Sequence, residues 1–211
     1  MPSTSTEYWF DESAADRAVS FIERFCTHVK GDLGGKPFLL EDWQKDDIIR
    51  PLFGWKKQDG TRKYRTCYVE IPRKNGKSNL SAAIALYMLF ADGEKGAEVI
   101  SAAGDRGQAN IVFNIAQEMI TNNEHLRSRA KVLRNVVHYR SSWYKSISAE
   151  AYTKHGLNCH AVIFDELHTQ PNRDLWDVLT TSTGARRQPL IMALTTAATT
   201  ELVSATRSTS T

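Results

Sequence analysis

A strand, a basic turn and a helix follow one another between residues 66 and 90, and this segment constrains the fold most. The sequence TCYVEI at 66–71 is rich in β-branched and aromatic residues and predicts a strand. PRKNGKS at 72–78 predicts a turn, and the Ala- and Leu-rich run at 79–90 predicts a helix that Gly93 stops. A strand that passes into a helix through such a turn is the context in which proteins bind phosphate.

The same alternation of short apolar strands with helices continues along the chain. We predict further strands at 97–103, 136–139, 146–151, 160–166 and 189–197, and helices at 14–30, 41–49, 105–121 and 173–183. Residues 54–65 predict a basic loop or hairpin turn around Asp59 and Gly60. Apolar strands that alternate with helices imply parallel pairing with burial on both faces. The predicted class is α/β, with helices on both sides of a mostly parallel sheet.

Three residues of the turn have the chemistry of a phosphate-binding loop. Gly76 lets backbone N–H groups curl around phosphate without an intervening Cβ atom. Lys77 can place a charge on the outer phosphates, and the Ser78 hydroxyl can coordinate Mg²⁺. The N-terminus of the following helix adds the positive end of its dipole.

The turn departs from the usual phosphate-loop pattern in one respect. The pattern GxxxxGK[ST] has its first glycine six residues before the lysine, where this chain has Ile71. Arg73 and Lys74 add positive charge that can meet the outermost phosphate, and Asn75 belongs to the same loop. The alternative is a basic turn with a helix cap at Ser78.

Two further motifs lie at the ends of apolar strands. Asp165 and Glu166 end the strand AVIFDE, and ligands of open α/β sheets bind at the carboxyl ends of strands. Asp165 can hold Mg²⁺, and Glu166 can orient and deprotonate a water molecule. Thr195 and Thr196 end the strand at 189–197, where their hydroxyls can sense a phosphate. The alternatives are two solvated carboxylates and threonines chosen for β-propensity alone.

The charge distribution indicates a polyanionic partner, although the net charge is only +3. Residues 56–77 carry a net +6, and residues 125–149 carry +6 with no acidic residue. These segments predict contact with phosphates or nucleic acid, or else they are solvated loops. We expect no membrane span and no secretory signal, because no apolar run approaches the necessary length and the N-terminus is polar. Cys26, Cys67 and Cys159 are too few and too widely spaced for a disulfide framework.

Together these motifs resemble the ATPase domain of the large terminase subunit of tailed phages. The resemblance runs from about Pro37 to Ala197 and includes Leu40, Trp43 and Gln44 as a Leu-x-x-Trp-Gln entry. A Walker A motif with basic residues before Asn-Gly-Lys-Ser follows, then a Walker B motif that ends in Asp-Glu and a Thr-Thr-Ala coupling motif. The order and spacing of the four motifs are specific, whereas no single one is.

The resemblance implies a fold, a reaction and roles for individual residues. The fold is a three-layer P-loop NTPase of the ASCE type, and the cofactors are ATP and Mg²⁺. Gln44 would contact adenine, Arg73 would act near the outermost phosphate, and Glu166 would be the catalytic carboxylate. The other implied roles are phosphate binding by Lys74, Asn75, Gly76, Lys77 and Ser78, metal binding by Ser78 and Asp165, and coupling of hydrolysis to movement by Thr195 and Thr196.

The resemblance also implies partners. Members of the family assemble as a homo-oligomeric ring on the portal protein and pump double-stranded DNA into a procapsid, with a small terminase subunit as a further partner. The expected location is the host-cell cytoplasm, with no membrane contact. Some members supply an arginine finger in trans, for which the candidates are Arg127, Arg129, Arg134 and Arg140.

We expect three segments: an N-terminal helical extension at 1–36, the ATPase domain at 37–197, and a disordered or non-native tail at 198–211. The family's C-terminal nuclease domain has no counterpart in this sequence, so we expect no DNA cleavage by this chain. Two other functions stay open at this point. Asp165-Glu166-Leu167-His168 resembles the DExH signature of helicases, and a non-catalytic nucleic-acid-binding module with a vestigial phosphate loop would explain the basic segments.

Overall fold

A central sheet and its surrounding helices make up the computed structural model, which describes residues 7–72, 75–149, 156–166 and 173–196. The strands are Tyr8–Phe10 (β1), Trp55–Lys57 (β2), Thr66–Ile71 (β3), Glu98–Ala103 (β4), Lys131–Leu133 (β5), Val136–Tyr139 (β6), Ser142–Ser148 (β7), Ala161–Asp165 (β8) and Leu190–Thr196 (β9). The α-helices are Glu12–Phe25 (α1), Arg50–Gly54 (α2), Lys77–Phe90 (α3), Arg106–Asn122 (α4), Glu124–Arg127 (α5) and Asp174–Thr181 (α6). A 3-10 helix spans Gly31–Leu33, and a π-helix over Gln44–Ile49 leads into α2.

The central sheet has seven strands in the order β3-β9-β8-β4-β7-β6-β5. The first five strands are parallel, whereas β6 and β5 add an antiparallel extension at one side. β1 and β2 pair separately in a small antiparallel sheet. The carboxyl ends of the five parallel strands share one edge, called here the carboxyl edge, and the opposite edge is the amino edge. The predicted α/β class with a mostly parallel sheet is confirmed.

Helices cover both faces of the sheet and give three layers. Val99 and Ile163 face a core cluster that includes residues of α1, α3 and α4. Ile100 and Phe164, one position along each strand, face a second cluster that includes α6. Successive side chains of a strand point to opposite faces, so each apolar strand serves both layers.

Helix α3 lies at the centre of the larger cluster and begins directly after the phosphate-loop motif. All ten residues from Leu80 to Leu89 are buried, which is the pattern of a helix enclosed on every side rather than an amphipathic surface helix. Its neighbour α1 packs against it through an edge-to-face contact of Phe21 with Tyr87. α1 therefore shares a core with the sheet, although it precedes the expected start of the ATPase domain at residue 37.

A buried ionic cluster joins three loops at the amino edge. Arg62 is 1% exposed, and its Nη2 donates to Asp92 Oδ2 at 2.8 Å and to the Gln188 carbonyl oxygen at 3.1 Å. The His160 Nε2 atom lies 2.7 Å from the same Asp92 oxygen. Burial acts to raise the pKa of Asp92, but the charges and hydrogen bonds of Arg62 and His160 outweigh it and hold the pKa below its usual value.

The structure corrects two predicted helix ends. The helix predicted at 14–30 ends at Phe25, because the chain becomes extended at Cys26 and the Phe38 N–H bonds to the Cys26 carbonyl oxygen at 2.9 Å. The helix predicted to stop before Pro51 continues through it to Gly54. The preceding π-helical turn, in which the Arg50 N–H bonds to the Lys45 carbonyl oxygen, is wider than an α-turn and makes room for the proline ring.

The strand predicted at 146–151 is also misplaced, since β7 covers Ser142–Ser148 and pairs with β4 along its length. The short elements β1, β2, α5 and β5 and the 3-10 helix were not predicted, because runs of three or four residues show no period. The turn predicted around Asp59 and Gly60 is present, with the Gly60 N–H bonded to the Lys57 carbonyl oxygen at 2.9 Å.

The three cysteines are free thiols in the structure. Cys26 and Cys159 are buried and Cys67 is half-buried, and burial raises the pKa of all three, that of Cys159 to about 11. Within the described residues, no helix is both long enough and apolar enough to cross a membrane.

Candidate active site

The phosphate-loop motif forms the start of α3 at the carboxyl edge. Gly76 is the N-cap residue and has a φ of +71°, in the left-handed region that favours glycine. Asn75 closes the turn, because its side-chain Nδ2 donates to the Pro72 carbonyl oxygen at 3.2 Å. The helix has no side-chain cap, so the interpretation of Ser78 as a helix cap is wrong. The backbone donors of the first helical turn are thus available to an anion.

Side chains from three separate elements meet at Lys77. Its Nζ forms an ion pair with the Glu166 carboxylate and donates to Thr196 Oγ1 at 2.8 Å. The Thr196 hydroxyl in turn donates to Glu166, with its oxygen 2.9 Å from Oε1. The sheet order explains the meeting, because β9, which ends at Thr196, lies between the strand before Lys77 and the strand before Glu166.

Glu166 has a strained backbone directly after β8. Its φ is +50°, and left-handed conformations of non-glycine residues cost on the order of 1–3 kcal/mol. The strand ends one residue earlier, at Asp165. At Glu166 the backbone changes direction, so its carboxylate reaches Lys77 and Thr196 instead of pointing to the opposite face of the sheet from Asp165. Strain of this kind is concentrated at functional sites, where the surrounding contacts over-determine it.

Ser78 and Asp165 form a second pair beneath this cluster. The Ser78 Oγ donates to Asp165 Oδ2 at 3.4 Å, a long hydrogen bond. Asp165 is only 3% exposed, and its Oδ1 is buried without a hydrogen-bond partner in the described part of the chain. Burial is the main cause that raises the pKa of Asp165, and the Glu166 charge adds to it, against the opposing effects of Lys77 and Ser78.

This oxygen pair fits a divalent cation. Mg²⁺ binds through one or two protein oxygens and completes its octahedron with phosphate oxygens and water. Such a cation could bind the Asp165 oxygen that has no partner among the described residues together with the weakly bonded Ser78 hydroxyl. Buried polar atoms without partners are rare and require an explanation.

Gln44 lies beside the phosphate loop. It is 3% exposed and begins the π-helix, and its Oε1 accepts from the Glu41 N–H at 3.1 Å. Its Nε2 faces Gly76, since a Cβ atom placed on that glycine would lie 3.8 Å from it. The structure therefore brings the predicted base-contacting residue and the predicted phosphate loop together.

Comparison with known proteins agrees with this geometry. The family model for the terminase large subunit, ATPase domain, matches residues 42–208. The chain belongs to this terminase ATPase-domain family. The match covers most of the segment 198–211 that was expected to be a tail, and the family favours the terminase interpretation over the helicase and the non-catalytic binding module.

Relatives and solved structures support the same family. The terminase large subunit of Enterobacteria phage HK97 is 34% identical in an alignment of 197 positions, which covers 87% of this chain and 36% of the relative. The crystal structure of the HK97 large terminase has a TM-score of 0.73 at 32% identity and covers 86% of this chain and 37% of that chain. The large terminase ATPase domain of Thermus phage P74-26 shares the fold at 18% identity, with a TM-score of 0.54 and coverage of 63% and 60%. The chain thus spans little more than a third of the length of the HK97 terminase.

The remaining predicted residues of this terminase domain fall into two groups. Arg73 and Lys74 lie outside the described residues. Thr195 is buried and lies opposite Glu70 in the register of β9 with β3. The contacts with Lys77 and Glu166 described above are those of Thr196.

The four candidate trans arginines lie near the antiparallel extension, on the far side of the sheet from β3. Arg127 and Arg129 follow α4 at the amino edge, and Arg140 lies in the β6–β7 turn at that edge. Arg134 lies in the β5–β6 turn, which points toward the carboxyl edge.

Sequence reasoning missed a buried hydroxyl pair behind Asp165. Ser101 of β4 and Tyr144 of β7 are fully buried and hydrogen-bonded to each other. Burial is the main cause that raises the pKa of Tyr144, and the nearby Asp165 charge contributes. The available signal was Ser101 itself, the one hydroxyl residue in the apolar strand EVISAA.

Proposed function

We propose that this chain binds Mg-ATP and hydrolyses it as the motor domain that drives double-stranded DNA into a phage procapsid. The observation that carries the proposal is the contact between Lys77 and Glu166, which the fold brings together from elements 89 residues apart. Membership of the terminase ATPase-domain family supports the same conclusion.

The contact suggests how nucleotide binding switches the site on. In the structure Lys77 neutralises Glu166, and a carboxylate in an ion pair is a weak base. Phosphate oxygens compete for the same ammonium group, so binding of the triphosphate moves Lys77 from Glu166 to the phosphates. Glu166 then orients an attacking water molecule and accepts its proton.

Other residues hold the nucleotide and its metal ion. Ser78 and Asp165 would hold Mg²⁺, which when bound neutralises charge on the phosphates. Gly76 offers backbone N–H groups to the phosphates, and Gln44 contacts adenine from its position beside the loop. The additional phosphate contacts proposed for this loop are made by Arg73, Lys74 and Asn75.

We propose that Thr195 and Thr196 couple hydrolysis to movement. The support is that Thr196 bonds to both Lys77 and Glu166, so a shift of either side chain changes the hydrogen bonds at the end of β9. Among the four candidate trans arginines, the geometry favours Arg134, since its turn points toward the edge that carries the nucleotide.

The partners proposed for the whole protein follow from the family. They are double-stranded DNA, the portal protein and the small terminase subunit, with assembly as a homo-oligomeric ring in the host-cell cytoplasm and without membrane contact. We retain the division into an N-terminal helical extension at 1–36 and an ATPase domain at 37–197. We also expect that this chain does not cut DNA by itself.

Nucleotide binding and hydrolysis with Mg²⁺ test the proposal, on the parent chain beside Lys77→Ala and Glu166→Gln. We expect the parent to turn over ATP, Lys77→Ala to lose binding, and Glu166→Gln to bind while its rate falls about 10²–10⁴-fold, the usual contribution of a general base. The exposed Lys131→Ala is a matched control and should equal the parent. A parent that binds no nucleotide would overturn the assignment.

Addition of linear double-stranded DNA tests the motor. We expect ATP turnover to increase with DNA and the increase to fall steeply with salt, because phosphate contacts release counterions. Turnover without any response to DNA would leave an ATPase but contradict the packaging role. Strand separation in a duplex-unwinding assay would instead indicate a helicase.

A further inference from the structure

A cavity of about 290 Å³ lies at the amino edge, away from the nucleotide site. Its walls come from α1, the end of α3, α5 and the β6–β7 turn, and the lining includes the aromatic rings of Phe21, Phe25, Phe90 and Tyr139. Phe90 ends the helix that Lys77 begins, so thirteen helical steps, or roughly 20 Å, separate the cavity from the phosphate loop. The two sites share no lining residue.

Two exposed arginines, Arg129 and Arg140, complete the lining of this aromatic cavity. The Arg140 guanidinium carbon lies 5.3 Å from the centre of the Tyr139 ring, in a cation–π contact. Neither arginine forms an ion pair within the part of the chain that the structure describes. The lining contains no acidic residue, so the positive charge at the rim is not neutralised from within the cavity.

The backbone of Arg140 is strained. It is the first residue of a two-residue turn between Tyr139 and Ser142, and its φ is +54°. Two-residue hairpin turns that need a positive φ at this position ordinarily have glycine, asparagine or aspartate there. An arginine in that position strains the backbone, and its side chain forms part of the cavity wall.

The size and chemistry of the cavity select its occupant. A volume of about 290 Å³ accommodates one large side chain and is below the usual range for a drug-sized ligand. Aromatic walls favour an aromatic side chain, and guanidinium groups at the rim favour carboxylates on either side of it. A DNA duplex could meet the two arginines with its phosphates but could place nothing in the aromatic interior.

We propose that this cavity docks a short acidic segment of a partner protein, which inserts one aromatic side chain against Phe25 and the packed ring pair of Phe90 and Tyr139. Carboxylates next to that side chain pair with Arg129 and Arg140. This docking site is independent of nucleotide binding, and it assigns Arg129 and Arg140 to partner recognition.

Fluorescence anisotropy with labelled pentapeptides tests the proposal on the full chain. The probes are Asp-Glu-X-Glu-Asp, in which X is Phe, Tyr, Trp, Leu or Ala. We expect the best aromatic peptide to bind at least about tenfold more tightly than the alanine peptide, since burial of a large apolar side chain commonly contributes that much. The double variant Arg129→Glu/Arg140→Glu should weaken binding at least about tenfold through loss of the charge-assisted contacts.

Two further variants separate the cavity from general charge attraction. Arg127→Glu/Arg134→Glu changes the same charge in the same basic segment but does not alter the lining, and should weaken binding less than about threefold. Ala91→Phe fills the cavity with both arginines retained and should abolish the preference for an aromatic X. The thermal unfolding midpoint of each variant confirms that it is folded.

Three outcomes would overturn the proposal. The first is equal binding of all five peptides, and the second is equal weakening of peptide binding by the two arginine double variants. The third is that no peptide binds, whereas DNA binds in a manner that depends on Arg129 and Arg140. The last outcome would make this surface a nucleic-acid contact.

Discussion

Two buried aspartates lie at opposite edges of the same sheet, and their surroundings shift their pKa values in opposite directions. Asp92, at the amino edge, accepts from Arg62 and His160, and its pKa is lowered despite burial. Asp165, at the carboxyl edge, accepts a long hydrogen bond from Ser78 and has one oxygen without a partner among the described residues, and its pKa is raised mainly by burial. The chain thus supplies strong partners for the Asp92 carboxylate, whereas one oxygen of the Asp165 carboxylate has no partner among the described residues.

The difference separates a carboxylate that is held by other side chains of this chain from one that we propose binds a metal ion. The Asp92 cluster ties together loops before β3, after α3 and before β8, and both groups that hold its carboxylate belong to this chain. Within the described residues Arg62 Nε and His160 Nδ1 are buried without hydrogen-bond partners, but the Asp92 carboxylate itself is paired. The Asp165 cluster contains an unsatisfied buried oxygen and stands beside the strained Glu166, both of which cost stability in the absence of ligand. Perturbed carboxylates that lack an internal partner are therefore the better guide to a binding site in this molecule.

The largest expected change in stability comes from breaking the Asp92 cluster. Asp92→Asn leaves the Arg62 charge buried without its counter-ion, which should cost about 3–5 kcal/mol. For a chain of this size that lowers the unfolding midpoint by about 6–20 °C. Glu94→Gln in the same loop breaks a less buried pair with Arg186 and should cost about 1 kcal/mol or less. Thermal unfolding by circular dichroism measures both, and equal losses would contradict the comparison.

In the Asp165 cluster, the expected effect is on rate and not on stability. Thr196→Val keeps the shape of the side chain but removes the hydroxyl that bonds to Lys77 and Glu166. Loss of hydrogen bonds to charged groups, at about 1.5–3 kcal/mol, should slow ATP hydrolysis about 10–150-fold with little change in the unfolding midpoint. Thr66→Val, on the exposed start of β3, is the control. An unchanged rate would remove Thr196 from the active site.

A smaller effect of opposite sign is expected at the second aspartate. Asp165→Asn removes a buried charge and should raise the unfolding midpoint of the nucleotide-free chain by about 2–4 °C, which corresponds to about 1 kcal/mol. Mg-ATP should further stabilise the parent chain but not the variant, because ligand binding to the native state raises its stability. A variant that is less stable than the parent would show that Asp165 is structural, like Asp92.

The smallest effects are those of pH, and the two aspartates should act on opposite sides of the ordinary carboxyl pKa of 3.8. The lowered pKa of Asp92 contributes stability that is present above 3.8 and is lost as the pH falls through the lowered value. The raised pKa of Asp165 means that the native state holds the proton longer, so stability falls as the pH rises from 3.8 through the raised value. The difference between the parent and each asparagine variant isolates each effect.

Unfolding midpoints between pH 3 and pH 6 provide the measurement. Asp92→Asn should differ least from the parent at the acid end, and Asp165→Asn should exceed the parent only as the pH rises. Curves that diverge on the same side of 3.8 would show that one of the two assigned directions is wrong.

Local sequence patterns were sufficient to predict most strands and helices of this fold and the residues at the centre of the site. Two motifs could be predicted because each joins an apolar segment to residues with recognisable chemistry. They are the phosphate-loop turn before α3 and the two carboxylates, Asp165 and Glu166, at the end of β8. Parallel pairing then brings the two motifs to one edge. Their contact through Thr196 follows from the position of β9 between them.

The Asp92 cluster could not be predicted, because its members are far apart in sequence. Arg62 and Asp92 are 30 residues apart and Asp92 and His160 are 68 apart, and no spacing rule connects residues that belong to three different loops. The passage of a helix through Pro51 was missed for a related reason, since a π-helical turn has no sequence signal comparable to that of an α-helix. The residues whose proximity could best be predicted are those of the Asp165 cluster, because each belongs to a motif of neighbouring residues at the end of a strand or the start of a helix.

The burial of Cys26 and Cys159 and the partial burial of Cys67 have a practical consequence for experiments on movement. Thiolates are the species that react with maleimides, and burial keeps Cys26, Cys67 and Cys159 protonated at neutral pH. A cysteine introduced on the exposed surface, for example by Ser141→Cys, would react much faster than the native three. A fluorophore could then be attached at one chosen site while the three native cysteines are kept, so that movement at that site can be followed during single turnovers.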